Sequence, residues 1–276
     1  MMLSFMKMHG LGNDFVVIDA INQKIDLTTQ QIQFIADRHF GIGCDQVLLV
    51  EPPRALNTDF YYRIFNADGS EVEQCGNGAR CFANFIHITG LSDKEILHVG
   101  TLSGSIHLKH EEDGQVRVNM GAPKLEPKLI PFEAEAQSKH YPIEIDNRSF
   151  KIAAVSMGNP HAVIQVKSVA DVPVEEVGSL LERHPRFPQR VNVGFMAVKD
   201  RKHIDLRVFE RGAGETLACG SGACAAVVAG RINGLLDEQV EVSLPGGTLM
   251  VSWAGDEAPV WMSGPAIKVF EGKIKL

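Results

Sequence analysis

RIFNADGSEVEQCGNGA, residues Arg63 to Ala79, recurs as RVFERGAGETLACGSGA, residues Arg207 to Ala223. The strings align without a gap at a shift of 144 positions, from Cys75 to Cys219, with Arg, Phe, Glu, Cys, two Gly and Ala in register. Upstream, Gly12-Asn13-Asp14-Phe15-Val16-Val17-Ile18 recurs as Gly158-Asn159-Pro160-His161-Ala162-Val163-Ile164, at a shift of 146 from Gly12 to Gly158. Two matches in the same order at nearly one spacing mark an internal duplication. The period is far longer than the ~20–50 residues of a solenoid repeat, so the chain reads as two copies of one domain. Its 276 residues suit two domains on length alone.

Short β-rich runs between turn signals follow the same duplication. In the first half they cover residues 16–19, 47–50, 60–65, 106–110 and 116–120, and in the second 162–166, 194–198, 204–209, 240–244 and 249–253. Asp113-Gly114 and Pro245-Gly246-Gly247 mark turns. Helices are expected at 29–39 and 175–184, with one more after each of Cys75 and Cys219. The Pro-, Glu- and Lys-rich stretch 121–140 suits a crossing between domains, and the alternating residues 267–276 read as a strand returning to the first domain. The expected fold class is α/β (α+β) with two pseudo-symmetric domains, residues 1–119 with 265–276 and residues 120–264. Each is expected to wrap a curved mixed sheet round a central helix, with the active site in the cleft between them.

Cys75-Gly76-Asn77-Gly78-Ala79 and Cys219-Gly220-Ser221-Gly222-Ala223 carry the chemistry. Each precedes an apolar stretch, and the second is apolar on almost every face, as in a helix buried all round. Asn77 and Ser221 are suitable N-caps, and Gly90 and Gly230 or Gly234 are suitable helix ends. Each Cys is thus expected at a helix N-terminus, where unpaired N–H groups and the macrodipole favour negative charge. That predicts a thiol pKa lowered from about 8.5 towards the ~3.5–7.5 range of activated cysteines. It also predicts a cradle of N–H groups for a carboxylate or phosphate. Two such thiols on opposite faces of one carbon are what stereoinversion needs: a thiolate removes the α-proton and a thiol returns a proton to the other face. Helix N-termini aimed at the α-carboxylate would stabilise the developing charge, and closure would exclude water.

Other readings are weaker. Gly220-Ser221-Gly222-Ala223-Cys224-Ala225 fits a dinucleotide fingerprint, but no strand candidate runs directly into it, and Asp237 and Glu238 are poor matches for the acidic partner. A charge balance of 27 basic against 34 acidic residues, net −7, argues against a nucleic-acid surface. No run reaches the ~18 apolar residues of a membrane-spanning helix, and MMLSFMKMHGLGNDF has no signal-peptide core. A cytoplasmic protein is expected. The five cysteines form no C-x-x-C, which speaks against a zinc ribbon or a thioredoxin-like motif. Cys44, Cys81 and Cys224 read as packing residues, and His107 and His110 as strand surface without a third metal ligand. No Lys sits in an evident pyridoxal-phosphate context, so neither cofactor nor metal is expected.

The strings His9-Gly10-Leu11-Gly12-Asn13-Asp14-Phe15, Asn66-Ala67-Asp68-Gly69-Ser70, Cys75 to Cys81, Gly158-Asn159-Pro160-His161, Asn192-Val193-Gly194, Glu210 to Thr216 and Ala218 to Cys224 resemble the diaminopimelate epimerase family over nearly the whole chain. The resemblance implies a cofactor-independent isomerase that interconverts LL- and meso-diaminopimelate in lysine biosynthesis. It makes Cys75 and Cys219 the acid–base pair, with His161 and Glu210 near the thiols. The backbone of Gly76, Asn77, Gly220 and Ser221 would hold the reacting carboxylate. Asn66, Asn159, Asn192 and Arg211 would hold the distal carboxylate and Glu210 the distal ammonium, with Asn13 and Gln46 completing the site. An Arg fork suits a carboxylate. The resemblance implies a homodimer, to which family members can contribute a Tyr of the C-terminal strand; here Phe270 departs from that pattern, keeping the ring and losing the hydroxyl.

Two rivals remain at this stage. A proline or hydroxyproline racemase-like enzyme would use a similar pair of thiols, but its substrate offers no distal groups for Glu210, Arg211 and the Asn residues. A redox or binding protein would instead use Cys75 and Cys219 as a switchable disulfide.

Overall fold

The computed structural model describes residues 2–73 and 75–276. They divide into two compact units, one running to Asn119 and resumed at Ser263–Leu276, the other Met120–Met262.

In the N-terminal unit, β1 (Met2–Gly10), β2 (Asn13–Asp19), α1 (Thr29–Ala36), β3 (Gln46–Glu51), β4 (Phe60–Asn66) and β5 (Glu71–Val72) lead into α2 (Gly76–Thr89). After α2 come β6 (Ile96–Thr101), β7 (Gly104–His110) and β8 (Val116–Asn119). β1–β2, β3–β4, β4–β5, β6–β7 and β7–β8 pair antiparallel, while β2–β3 and β4–β6 pair parallel. β2 and β3 read as continuous apolar runs because both faces are covered. Val16, Ile18, Val47 and Leu49 pack with Ile32 and Ile35 of α1. Phe15, Ile64 and the Tyr62 hydroxyl close on Gly78 in the first turn of α2. α2 touches β1, β2, β3, β7 and β8, so the sheet curves round it.

The C-terminal unit repeats the plan. β9 (Tyr141–Ile145), β10 (Arg148–Ser156), β11 (Pro160–Val166), α3 (Val174–Glu182), β12 (Asn192–Asp200), β13 (His203–Glu210) and β14 (Gly214–Thr216) lead into α4 (Gly220–Ile232). Then follow β15 (Gln239–Leu244), β16 (Gly247–Trp253) and β17 (Val260–Gly264). β10–β11, β12–β13, β13–β14 and β15–β16 are antiparallel, and β11–β12 and β13–β15 parallel, matching the first unit pair for pair. α4 is buried from Gly222 to Gly230 and touches β10, β11, β12, β13 and β16. The last strand, β18 (Ile267–Lys275), pairs antiparallel with β1, as β9 pairs with β10.

Several expectations are corrected. α1 stops at Ala36 rather than residue 39, because the Asp37 carboxylate accepts the His39 and Phe40 N–H groups and turns the chain. α3 stops at Glu182 rather than residue 184. α4 ends beyond Gly230: Gly234 takes a φ of +72°, and Leu235 N–H closes on Gly230 O. Gly230 itself makes room for Leu236. The stretch 121–140 lies within the C-terminal unit, where Lys124 bridges to Ser156. Strands β1, β5, β6, β9, β10, β14 and β17 were not among the expected elements.

Candidate active site

One topological fact gathers the site residues in each unit. β2 and β3 run parallel and β4 antiparallel to them, so β2 and β3 begin where β4 ends. The register places Phe15 beside Gln46 and Gln46 beside Asn66. In the C-terminal unit it places His161 beside Asn192, with Glu210 at the last position of β13. Residues far apart in sequence thus meet at one sheet edge, and the loop after β5 or β14 brings the cysteine to that edge.

Cys75 and Cys219 are themselves the N-caps of α2 and α4, both with extended backbone and no side-chain cap bond. This corrects the assignment of Asn77 and Ser221 as caps; each lies one position inside its helix. The N–H groups of the first helical turn lie at Gly76-Asn77 and Gly220-Ser221, where an anion cradle is expected.

In the N-terminal unit Cys75 is half-buried and its Sγ lies 3.6 Å from Asn13 Oδ1. Asn77 Nδ2 donates to the same oxygen at 3.3 Å, and Arg80, wholly buried, donates to Asn77 Oδ1 at 3.0 Å and to Pro265 O at 3.2 Å. Gln46 Nε2 donates to Asn66 Oδ1 at 2.9 Å. Asn13 is steadied from behind by Asp45, which accepts its Nδ2 at 2.9 Å. Asp45 shares Arg38 with Asp14, and Asp14 also pairs with Lys7. Burial opposes ionisation of Asp14, but hydrogen bonds from Arg38 and Lys7 hold its carboxyl far below the usual range.

In the C-terminal unit one hydrogen-bonded chain links most of the expected residues. Thr216 Oγ1 donates to Glu210 Oε1 at 2.6 Å, and Cys219 Sγ donates to Glu210 Oε2 at 3.1 Å. Cys219 Sγ lies 3.6 Å from Ser221 Oγ, Asn159 Nδ2 donates to Ser221 Oγ at 3.4 Å, and Asn159 Oδ1 lies 2.9 Å from His161 Nε2. Arg211 joins through its backbone, whose N–H donates to Asn192 Oδ1 at 2.9 Å. Its guanidinium is exposed and donates to Gln189 O. The buried Glu182 accepts Gly212 N–H at 2.8 Å and pins the turn that carries Arg211.

The lowered thiol pKa expected from the helix N-terminus does not hold for Cys219. Burial, then the Glu210 charge and hydrogen bond, push its pKa well above the ordinary value. Cys219 therefore rests as a thiol whose proton already points at a carboxylate. Burial, with the Arg211 charge, lowers His161 to about 3, so its imidazole is neutral at physiological pH. Cys44, Cys81 and Cys224 are buried; burial pushes Cys44 and Cys81 up to about 12. None of the five cysteines is in a disulfide. Thr216, Asp45, Arg80 and Glu182 had no expected role. For Arg80 a sequence signal existed, a charged residue on an otherwise apolar helix face.

The architecture is shared with solved structures. A phenazine biosynthesis protein of the PhzF family from Bacillus anthracis matches at TM-score 0.69 with 17% identity, covering 100% of both chains. A hydroxyproline epimerase from Agrobacterium vitis, with bound trans-4-hydroxy-L-proline, matches at TM-score 0.71 with 14% identity, covering 99% of this chain and 92% of that one. Fold and helix-capping thiols together define a duplicated α+β protein with one cysteine at a helix N-terminus in each unit. The profile of the diaminopimelate epimerase family matches residues 5–126 and 153–269. A diaminopimelate epimerase of Thioalkalivibrio sulfidiphilus (strain HL-EbGR7) is 60% identical over 278 residues, covering 100% of both chains. The chain belongs to the diaminopimelate epimerase family.

Proposed function

We propose that the protein interconverts LL-2,6-diaminopimelate and meso-2,6-diaminopimelate by a two-base mechanism, serving lysine biosynthesis in the cytoplasm. The observation that carries this reading is the Cys219–Glu210 contact at 3.1 Å, a thiol held protonated beside its own proton acceptor in a chain of this family. Cys219 delivers a proton to one face of the α-carbon while Cys75 takes the proton from the other, and the roles exchange in the reverse direction. When Cys219 acts as base, Glu210 receives its proton and Thr216 steadies the carboxyl. The N–H groups of Gly76, Asn77, Gly220 and Ser221 stabilise the α-carboxylate as charge develops on it. Asn66, Asn159, Asn192 and Arg211 take the distal carboxylate, and Glu210 takes the distal ammonium while it is ionised. Asn13 and Gln46 orient their neighbours. Neutral His161 donates from Nε2 to Asn159 Oδ1 and so fixes that side chain.

The test is proton exchange followed by NMR. Reduced protein with LL-diaminopimelate in deuterated water should place deuterium at one α-carbon of the meso product, and Cys75→Ala and Cys219→Ala should each abolish epimerisation. Exchange with proline or hydroxyproline instead would move the protein to the racemases of the same fold, and no exchange with any of them would defeat the reading.

A homodimer through β18 accompanies this reading. Ile267, Val269 and Phe270 are about half exposed on that strand, and Phe270 packs edge-on against Phe5 at 6.0 Å. Phe270→Asp should convert a dimer to a monomer in sedimentation velocity.

A further inference from the structure

A cavity of about 300 Å³ lies in the C-terminal unit, at the end of α4 remote from Cys219. Ala229 and Asn233 put it at the helix C-terminus, roughly 15 Å along the axis from the thiol at 1.5 Å per residue. Its floor is apolar, from Ala153, Val163, Met196 and Ala229, and its rim carries Lys151, Lys167 and His140. No carboxylate lines it, and among the described residues neither lysine takes part in an ion pair. A smaller void of about 40 Å³ adjoins it past Ala153, Ala229 and Asn233.

The duplication supplies a control. The shift of 144 that relates the two cysteines sets Ala229 on Phe85, and the strand register sets Ala153 on Met6. Phe85 and Met6 are both buried. Large side chains therefore stand in one copy where alanines leave space in the other. The lysines are not needed to cap α4, because its last carbonyls are already taken: Asn233 Nδ2 and N–H donate to Ala229 O, Leu235 N–H to Gly230 O and Gly234 N–H to Arg231 O. His140 and Lys151 also come from residues 127–152, which the family profile leaves unmatched.

We propose that this cavity binds a small organic carboxylate with an apolar body, the carboxylate held between Lys151 and Lys167 and the body lying over Ala229 and Met196. The volume is at the small end of ligand pockets and suits a molecule the size of benzoate. The site is separate from the catalytic thiols and does not depend on the reaction proposed above.

Methyl NMR on protein labelled at methionine tests it, because Met196 lines the cavity while Met157 lies beside Asn159 at the catalytic end. Benzoate should shift the Met196 methyl saturably. Benzamide, the neutral isostere, should bind at least about 10-fold more weakly, since it forfeits charge-assisted hydrogen bonds. Lys151→Gln/Lys167→Gln should weaken benzoate by about the same factor while epimerase turnover stays unchanged. Ala229→Phe, which copies the N-terminal unit, should remove the Met196 response. An unmoved Met196, equal affinity for benzoate and benzamide, or a shift confined to Met157 would each overturn the proposal on the wild-type protein alone.

Discussion

The two units are one design built twice with different polar chemistry, and the differences fall on the sheet edge that carries each cysteine. The shift of 144 pairs Arg63 with Arg207, Glu71 with Glu215, Cys75 with Cys219 and Asn77 with Ser221; the shift of 146 pairs Asn13 with Asn159 and Gln46 with Asn192. The scaffold contacts repeat: Asn77 meets Asn13 at 3.3 Å and Ser221 meets Asn159 at 3.4 Å. Arg63 holds Glu71 bidentately, and Arg207 holds Glu215 likewise. Two further pairs differ in their chemistry beside the cysteine. Asn66 in the first unit is Glu210 in the second, and Phe15 is His161. Both changes put a titratable group on the Cys219 side. In the proposed reaction the two thiols pass protons in opposite senses, and unlike surroundings let Cys219 rest protonated beside an acceptor.

The largest expected effect comes from erasing the first difference. Glu210→Asn gives the C-terminal unit the residue type of the N-terminal one. Turnover should fall about 10²- to 10⁴-fold, the usual worth of a positioned acid or base. The Cys219 thiol should meanwhile titrate lower than in the wild type, because the Glu210 charge is one cause of its raised pKa. Ultraviolet titration of the thiolate reads this shift. Lower activity with an unchanged Cys219 titration would mean that Glu210 acts only on the substrate.

Next comes the turn ahead of each cysteine. Positions 68 and 212 are equivalent, and in each unit a side chain from the preceding helix holds the turn there. Gln33 donates to Asp68 O at 2.7 Å, whereas Glu182 accepts from Gly212 N–H. Glu182 is buried and faces Arg190 and Arg183, so its loss removes the ionised acceptor that fixes Gly212 N–H, a hydrogen bond to a charged group worth about 1.5–3 kcal/mol. Glu182→Ala should raise KM about 10-fold with little change in kcat, because Arg211 then binds without its fixed turn. Gln33→Ala should change neither by more than about twofold, since the surface turn can bond to water instead. Equal effects at both positions would show that the turns serve the fold alone.

The duplication was legible because Cys-Gly-x-Gly and Gly-Asn strings are dense in residue types with narrow uses, and two shifts that nearly agree are hard to obtain otherwise. The central strands were legible as apolar runs. What stayed hidden depends on neighbours. β1, with its Met and Lys residues, and the Ala-rich end of β10 carry little β signal; partners make them strands. β5 and β14 are too short to read and exist because Arg63 and Arg207 clamp Glu71 and Glu215. The pKa of Cys219 was misjudged for a related reason. A helix N-terminus can be read from a sequence, but how far burial and the carboxylate nine positions upstream outweigh it cannot.

The second asymmetry concerns acid stability. His161 is neutral in the folded protein down to about pH 3 but titrates near pH 6.5 when unfolded. Above pH 6.5 both states hold a neutral ring and the pKa difference has no effect. Between about 6.5 and 3 the unfolded state binds the extra proton, so stability falls as the pH is lowered, by at most about 1.4 kcal/mol per unit from this residue. His161→Phe, the residue of the N-terminal unit, should flatten that part of the decline. Urea midpoints at a series of pH values measure it, and an unchanged slope would place the acid sensitivity elsewhere.

The smallest expected difference lies in the clamps. Arg63–Glu71 and Arg207–Glu215 have similar geometry and similar partial exposure, so each double-mutant cycle should give a coupling of about 1 kcal/mol or less. They differ in what else holds the arginine. Arg63 Nη1 also reaches Glu51 at 3.2 Å, a second carboxylate that keeps the guanidinium in place when Glu71 is removed. Arg207 Nη1 reaches only backbone oxygens, Val169 O at 2.8 Å and Val172 O at 3.4 Å, among the described residues. Arg63 can therefore turn to a remaining opposite charge and Arg207 cannot. The C-terminal cycle should show the larger coupling, by a few tenths of a kcal/mol. Chemical denaturation of the four variants in each cycle resolves it. The reverse order would mean that Glu51 and Glu71 bind Arg63 cooperatively, so that the N-terminal clamp is the stronger because it is shared.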